Sequence, residues 1–465
     1  MSEVLAVAFP PPFTFGVSTS AYQIEGAVDR DGRGPSIWDR FSHTPGKVRD
    51  GSNGDVAVGH YDRWQQDLDL LVQLGVDAYR FSIAWPRVVP DGAGAVNRAG
   101  LDFYERLVDG LLARGIEPYL TLYHWDLPLA LHDKGGWLAR DTAHHFARYA
   151  EIVARALGDR VRHFATLNEP RCAAMVGFLE GRHAPGERSL PHALTAAHHM
   201  LLAHGLAVPA IRASANGTAP ALRGGASTRE PTVSVVLDVK PIVPASDGES
   251  DRRAAHALDG VFNRLYLDAI LCGAYPEDVW EGFGSAVPAV AAGDLATIAA
   301  PLDALGLNYY TRAVVRHEPA APYPGAVEVA VPGATYTTMN TEVFPEGLRD
   351  ILVRLHADYV LPPVYVAENG AAFADTVAGG RIADSARQAY FERHLAALSE
   401  ARSLGVAVNG YFVWSFLDNF EWGHGYLQRF GIVHVDFQTL ERTLKDSAHW
   451  LRALLRARRG LAGRS

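Results

Sequence analysis

Two segments of the chain each place a glutamate at the last position of an apolar run that is typical of a buried β-strand. Residues 166–170 read Thr-Leu-Asn-Glu-Pro, and residues 366–370 read Val-Ala-Glu-Asn-Gly. Burying a charge at such a position costs free energy, so a charged strand end calls for an explanation. Two facing carboxyl groups can cleave a glycosidic bond, because one protonates the leaving oxygen while the other attacks the anomeric carbon.

A single glutamate at a strand end is explained equally well as a residue that caps or turns the following helix. Two such ends, in Asn-Glu-Pro and Glu-Asn-Gly contexts, make that coincidence less plausible. The pattern therefore favours Glu169 and Glu368 as a catalytic pair.

The residues that follow the other strand candidates are aromatic or polar rather than apolar. Aromatic rings suit the C–H faces of a sugar, while amides and carboxylates suit its hydroxyl edges. One Trp or His alone would more often belong to the core, but several strand ends of this kind favour a sugar site. The set comprises Gln23, His124, Trp125, Asp126, Asn308, Tyr310, Trp414, Glu421 and Trp422.

Eight short apolar or β-branched runs alternate with longer segments of helical period. Alternation of this kind indicates βα units around a parallel sheet, and eight strands are the number that closes a (β/α)8 TIM barrel with its active site at the carboxyl ends. We therefore predict an α/β fold with one such barrel and long βα loops. The predicted strands are residues 13–21, 76–85, 117–125, 163–170, 233–240, 305–311, 364–369 and 410–416.

The clearest helix patterns lie on either side of the chain's middle. Apolar residues recur at helical spacing from 101 to 112 before Gly115, and a second helix is predicted from Asp384 to Ser403 before Gly405. Segments 213–231 and 320–338 are rich in turn-forming residues and are predicted to be surface loops. Since no composition shift marks a linker, we expect a single catalytic domain over residues 1–465.

The composition excludes several classes of protein. The 465 residues are 48% hydrophobic and 20% charged with a net charge of −9, which argues against a nucleic-acid or anionic-membrane surface. Two distant cysteines, Cys172 and Cys272, make no disulfide framework and no zinc motif. We expect no secretory signal, no membrane span, no cofactor and a cytoplasmic location.

Two other function classes are disfavoured by specific residues. A metal-dependent barrel hydrolase would carry a His-x-His at a strand end, and the 19 histidines contain no such motif. A noncatalytic glycan-binding barrel would lack one of the two carboxylates, and both are present.

The chain resembles glycoside hydrolase family 1, the β-glucosidase family, from about residue 13 to residue 450. The motifs that carry the resemblance are long and specific, and the last is the most telling. They are FGVSTSAYQIEG at 15–26, SIWD at 36–39, YRFSIAW at 79–85, NEP at 168–170, ENG at 368–370 and WSFLDNFEW at 414–422.

This resemblance implies a retaining mechanism in which Glu169 is the general acid/base and Glu368 the nucleophile. It also implies that Arg80 and Tyr310 lie against Glu368, and that Asn168 binds the sugar 2-hydroxyl. The remaining implied sugar contacts come from Gln23, His124, Glu421 and Trp422, with Trp414 as the floor. The implied substrate is a small β-glycoside, most simply a β-D-glucoside, with galactosides and fucosides as alternatives.

Family members that act on 6-phosphosugars usually carry Ser at the position of Glu421, so an unphosphorylated sugar is favoured here. The chain departs from the family pattern at Arg171 and Thr341, where Trp is common. Both departures concern the aglycone side. The natural substrate and the oligomeric state stay open at this point.

Overall fold

The computed structural model describes residues 2–216 and 230–462. Eight parallel strands form a closed barrel, in which each strand pairs with the next along the chain and β8 pairs with β1. They are β1 (Thr14–Ser18), β2 (Ala78–Ser82), β3 (Glu117–Tyr123), β4 (His163–Asn168), β5 (Thr232–Asp238), β6 (Ala304–Asn308), β7 (Val364–Asn369) and β8 (Val408–Trp414). The predicted (β/α)8 barrel is confirmed.

Helices lie between successive strands and cover the barrel. The described α-helices are Ser2–Ala8, Ala21–Ile24, Ile37–His43, His60–Leu74, Trp85–Val88, Arg98–Ala113, Leu129–His132, Asp141–Leu157, Leu190–Asn216, Glu249–Asp259, Leu265–Cys272, Glu277–Phe283, Asp294–Ile298, Glu346–Asp358, Ser385–Ser403 and Asp446–Ala462. Two π-helical segments, Cys172–Glu180 and Gly260–Arg264, follow β4 and β5.

Short strands outside the barrel form three small sheets in its loops. Ile242–Pro244, Ala313–His317 and Ala326–Glu328 form one small sheet, and two two-stranded sheets lie in the loops after β7 and β8. Those two sheets are Thr376–Ala378 with Arg381–Ala383, and Val433–Val435 with Arg442–Leu444.

Most predicted strands run one to three residues too far at one end or both. The chain leaves the sheet after Asn168, so Glu169 is not the last strand residue but the first one beyond it, with φ +47°. Glu368 is the second-last residue of β7. An apolar run does not reveal where the hydrogen-bond ladder stops, because the loop beyond it is equally buried.

The two predicted helices are present, and Gly115 and Gly405 follow them with φ of +71° and +97°. The predicted loop 213–231 is wrong in its first part, because residues 213–216 end a helix, and residues 217–229 lie outside the described part of the chain. Segment 320–338 is irregular except for the strand Ala326–Glu328.

The sequence was expected to hold no segment that resembles a membrane span, but one helix has the length and the apolar composition of such a span. Leu190–Asn216 is long and apolar enough, and 78% of its most apolar stretch is buried inside the protein. The helix packs against Asp141–Leu157 and Cys172–Glu180, and its apolar residues therefore belong to the core around the barrel.

Candidate active site

The carboxyl ends of the strands surround a cavity of about 300 Å³, and both predicted catalytic glutamates line it. The strand registers place Glu368 of β7 beside Asn308 of β6, and Asn308 beside Asp238 of β5. Glu169 is held at the same level, because its backbone N–H donates to the Val236 carbonyl of β5 at 2.8 Å. The barrel thus brings together two glutamates that are 199 positions apart in the chain.

Glu368 is buried and held by two donors. Arg80 Nη1 donates to its Oε1 at 2.7 Å, and the Tyr310 hydroxyl donates to its Oε2 at 2.6 Å. Burial raises the pKa of Glu368, and the Arg80 guanidinium and the Tyr310 hydrogen bond oppose that rise. These partners favour the ionised carboxylate over the protonated acid. A nucleophile needs the ionised form.

Glu169 has a different environment, with no guanidinium of its own among the described residues. Its Oε1 accepts a hydrogen bond from Asn308 Nδ2 at 2.7 Å. Burial raises the pKa of Glu169 well above its usual range, and the nearby charges of Asp238 and Glu368 raise it further. The pKa of Glu169 is therefore raised by its neighbouring charges, while the partners of Glu368 oppose a rise of its pKa. A general acid and a nucleophile need such a difference.

Asn168 connects three walls of the site. Its Oδ1 accepts from Arg80 Nη2 at 2.7 Å and from Asn308 Nδ2 at 3.2 Å, so its Nδ2 faces His124 Nε2 at 3.1 Å. Because an amide nitrogen only donates, Nε2 of His124 accepts and the proton of that ring sits on Nδ1. Nδ1 is buried and has no partner among the described residues.

Aromatic rings line the cavity wall around His124. Trp414 and Trp422 both stack on the His124 ring, at centroid distances of 5.8 and 6.0 Å, and Trp125 packs on Trp422 at 4.7 Å. Trp125, Glu169 and Trp422 all have positive φ, of +78°, +47° and +48°. Left-handed backbone is unfavourable for such residues and concentrates at functional sites, where the surrounding packing enforces it.

Gln23 lies behind the cavity wall and meets the loop after β8. Its Nε2 donates to Asn419 Oδ1 and the Phe420 carbonyl at 3.0 Å each, and to Glu421 Oε2 at 3.4 Å. Burial, followed by the charge of Glu368, raises the pKa of Glu421 to about 8, while the Gln23 hydrogen bond opposes that shift.

Nine of the twelve predicted site residues line the cavity, and the other three support it from behind. The nine are His124, Trp125, Glu169, Asn308, Tyr310, Glu368, Trp414, Glu421 and Trp422, and the three are Gln23, Arg80 and Asn168. Asp126, which also follows β3, is buried away from the cavity, and burial raises its pKa to about 7.

The sequence matches the model of glycosyl hydrolase family 1 over residues 5–459. The chain belongs to this family. It is 46% identical over 454 residues to a β-glucosidase of Agrobacterium sp. (strain ATCC 21400), covering 97% of this chain and 96% of that protein. Virulence factor SghA from Agrobacterium tumefaciens has a similar structure, with a TM-score of 0.94 and 45% identity, covering 98% of this chain and 99% of SghA.

A Thermotoga maritima family 1 glycoside hydrolase, solved with a cyclophellitol analogue described as a transition state mimic, is also similar. Its TM-score is 0.91 at 44% identity, and the match covers 97% of this chain and 98% of that one. Family 1 membership makes the present chain an O-glycoside hydrolase.

Sequence reasoning missed several residues that line the cavity. Asp238, Lys240 and Phe262 line the cavity beyond Glu169. Asp238 ends the apolar strand β5, so the signal that identified Glu169 could also have found it. Phe262 lies in a π-helical segment, for which the sequence carries no comparable signal.

The structure explains both departures from the family pattern. Arg171 Nε donates to Asp238 Oδ2 at 2.5 Å, and its guanidinium lies 3.8 Å from the centroid of the Phe262 ring. The charge of Arg171 is therefore paired rather than free. Thr341 Oγ1 hydrogen-bonds to Thr337 Oγ1 at 2.6 Å, which leaves mainly its methyl group for the cavity.

A buried charge network holds the loops after β7 and β8 in place. Lys445 Nζ donates to Asp418 at 2.8 Å and to Asp375 at 2.6 Å, and Arg387 Nη1 bonds Asp375 at 2.9 Å and Asp384 at 2.6 Å. These side chains are at most 3% exposed. Since breaking one buried pair leaves an uncompensated charge, the network resists movement of the loop that carries Glu421.

Proposed function

We propose that this chain is a retaining β-glucosidase in which Glu169 is the general acid/base and Glu368 the nucleophile. The observation that carries the assignment is the asymmetry of their partners. Glu368 accepts from the Arg80 guanidinium and the Tyr310 phenol, whereas Glu169 accepts from the neutral amide of Asn308.

In the first step, Glu368 attacks the anomeric carbon while Glu169 transfers its proton to the departing oxygen. The product is a covalent glycosyl-enzyme, in which Glu368 no longer carries a charge. Loss of that charge lowers the pKa of Glu169, which then accepts a proton from the incoming water. Glu169 therefore serves as acid and base in turn without moving.

Sugar binding falls to the residues around His124 and the loop after β8. His124 contacts a hydroxyl group through its imidazole ring, and Asn168 exchanges one of its present partners for the 2-hydroxyl. Glu421 binds hydroxyls at the far end of the sugar, and Gln23 holds the Glu421 carboxyl group from behind the cavity wall. Trp414 forms the floor for its C–H face, and Trp422 contacts its edge.

The mechanism is tested by following the anomer that is released first. Proton NMR during hydrolysis of an aryl β-glucoside should show the β-anomer first and the α-anomer only as mutarotation proceeds, because two displacements restore the configuration. Initial release of the α-anomer would contradict the assignment of Glu368 as a nucleophile.

We predict that Glu421→Ser lowers kcat/KM for an aryl β-glucoside by about 10²-fold, since it removes a partly buried group that pairs with sugar hydroxyls. Glu421→Gln is the matched control and should lose less, because it keeps the shape and one acceptor. The wild type should prefer the glucoside over its 6-phosphate. A preference for the phosphorylated sugar would overturn this role of Glu421.

The substrate is a small β-glycoside with a terminal glucosyl group. A panel of aryl β-glucosides, β-galactosides and β-fucosides tests how far the site accepts the other two sugars. The cytoplasmic location and the single domain over residues 1–465 stay predictions, which fractionation and limited proteolysis would test.

A further inference from the structure

A third carboxyl group lies beside the proposed acid/base. The Asp238 carboxylate, the Glu169 carboxylate and the Cys172 thiol lie within 4.8 Å of one another. Asp238 ends β5 and is level with Asn308, whose amide contacts Glu169. A carboxylate at this distance changes the proton affinity of Glu169 unless a cation neutralises it.

Arg171 is the only cation paired with Asp238 in residues 2–216 and 230–462. The two side chains are 15% and 10% exposed, so solvent screens the pair only weakly. The Phe262 ring beneath the guanidinium fixes its position.

Charge counting assigns the proton in this part of the site. Two guanidinium groups face three carboxyl groups: Arg80 pairs with Glu368, and Arg171 pairs with Asp238. Among the described residues, no cation pairs with Glu169. The five groups are neutral together only when Glu169 carries a proton.

We infer that Asp238 and Arg171 form a positioning pair that holds the proton on Glu169 and sets the pH at which the proton leaves. The inference rests on the proposed role of Glu169. Asp238 stabilises the protonated acid, and Arg171 limits that effect by offsetting the charge of Asp238. In agreement, Asp238 raises the pKa of Glu169, after burial, and Arg171 lowers it.

Among the other titratable groups around Glu169, Glu368 also raises the pKa of Glu169, but Glu368 is unchanged in variants of the pair. Burial raises the pKa of Cys172 and of Tyr310 well above their usual ranges, so both are neutral near pH 7. Glu421 titrates at about 8 but lies on the far side of the site, where Gln23 holds it. A test must therefore separate Glu169 from Glu421.

The test is the pH profile of kcat/KM for an aryl β-glucoside, in which the high-pH limb reports loss of the proton from Glu169. Asp238→Asn should move this limb about one pH unit lower, because it removes a negative charge. Arg171→Met should move it about one unit higher, because it leaves Asp238 unpaired. The double variant should lie near the wild type, and so should Arg171→Lys, which keeps the charge.

Shifts in opposite directions distinguish a charge effect from a loss of packing, which would lower activity without moving the limb. The inference is wrong if neither single variant moves the limb, or if both move it the same way. Circular dichroism and labelling of Glu368 by a 2-deoxy-2-fluoroglucoside report whether each variant is folded. If Asp238→Asn does not fold, Arg171→Met against Arg171→Lys carries the test alone.

Glu169→Gln separates this inference from the proposed function. The high-pH limb should vanish in Glu169→Gln, because no proton remains to be lost. A limb that persists both there and in the Glu169→Gln/Glu421→Gln double variant contradicts the assignment of Glu169 itself. If the limb vanishes in Glu169→Gln but is not shifted by Asp238→Asn or Arg171→Met, only the role of the pair is contradicted.

Discussion

Glu368→Ala should lower the hydrolysis of aryl β-glucosides by a factor on the order of 10⁴ or more, because it removes the group that forms the covalent intermediate. The fold should survive, since the shortened side chain lies at the cavity wall and Arg80 keeps its bond to Asn168. Steady-state kinetics and circular dichroism measure the two effects separately.

Azide should restore turnover of an activated glucoside by Glu368→Ala, because the anion occupies the space of the missing carboxylate. The product should be the α-glycosyl azide, formed by one displacement with inversion. Glu368→Gln is the matched control: it also lacks the nucleophile, but its amide fills the space, so azide should not help. Substantial unaided activity of Glu368→Ala would show that another group is the nucleophile.

Glu169→Ala should have an effect that depends on the leaving group. For poor leaving groups, the loss of the general acid should lower kcat/KM by about 10²–10⁴-fold. Dinitrophenolate leaves without being protonated, so kcat/KM for dinitrophenyl glucosides should change little. Their kcat should fall, because hydrolysis of the glycosyl-enzyme then lacks its base. A series of aryl glucosides with different leaving groups measures this dependence.

Azide should accelerate Glu169→Ala by attacking the glycosyl-enzyme without base assistance, and the product should be the β-glycosyl azide. The opposite anomers expected from the two alanine variants assign each glutamate to its own step. Equal losses for good and poor leaving groups would contradict the role of Glu169 as an acid.

Local patterns in the sequence predicted most of the fold and both glutamates of the proposed catalytic pair. Apolar runs alternating with helical periods predicted eight strands, because strands buried in a barrel are apolar on both faces. A charge that ends such a run has few structural explanations, so Glu169 and Glu368 were identifiable from their own segments. The resemblance to family 1 added the residues that contact them.

The errors of the sequence analysis also have local causes. The predicted end of the strand before Glu169 was misplaced, because the backbone turns out of the β-sheet at Glu169 with a positive φ. A glutamate does not indicate such a conformation from its residue type. Leu190–Asn216 was not noticed as an apolar helix of membrane-spanning length, because its hydropathy is moderate along the chain and its burial depends on neighbouring helices.

The sequence alone determined which residue types stand at the strand ends, because hydrophobic periodicity is a local property of the chain. Only the tertiary structure decided which of them meet. The β5–β6–β7 registers set Asp238, Asn308 and Glu368 side by side, and the site then divides two guanidinium groups among three carboxyl groups. Acidity depends on such distances and on burial, and residues far apart in sequence acquire both only when the barrel closes.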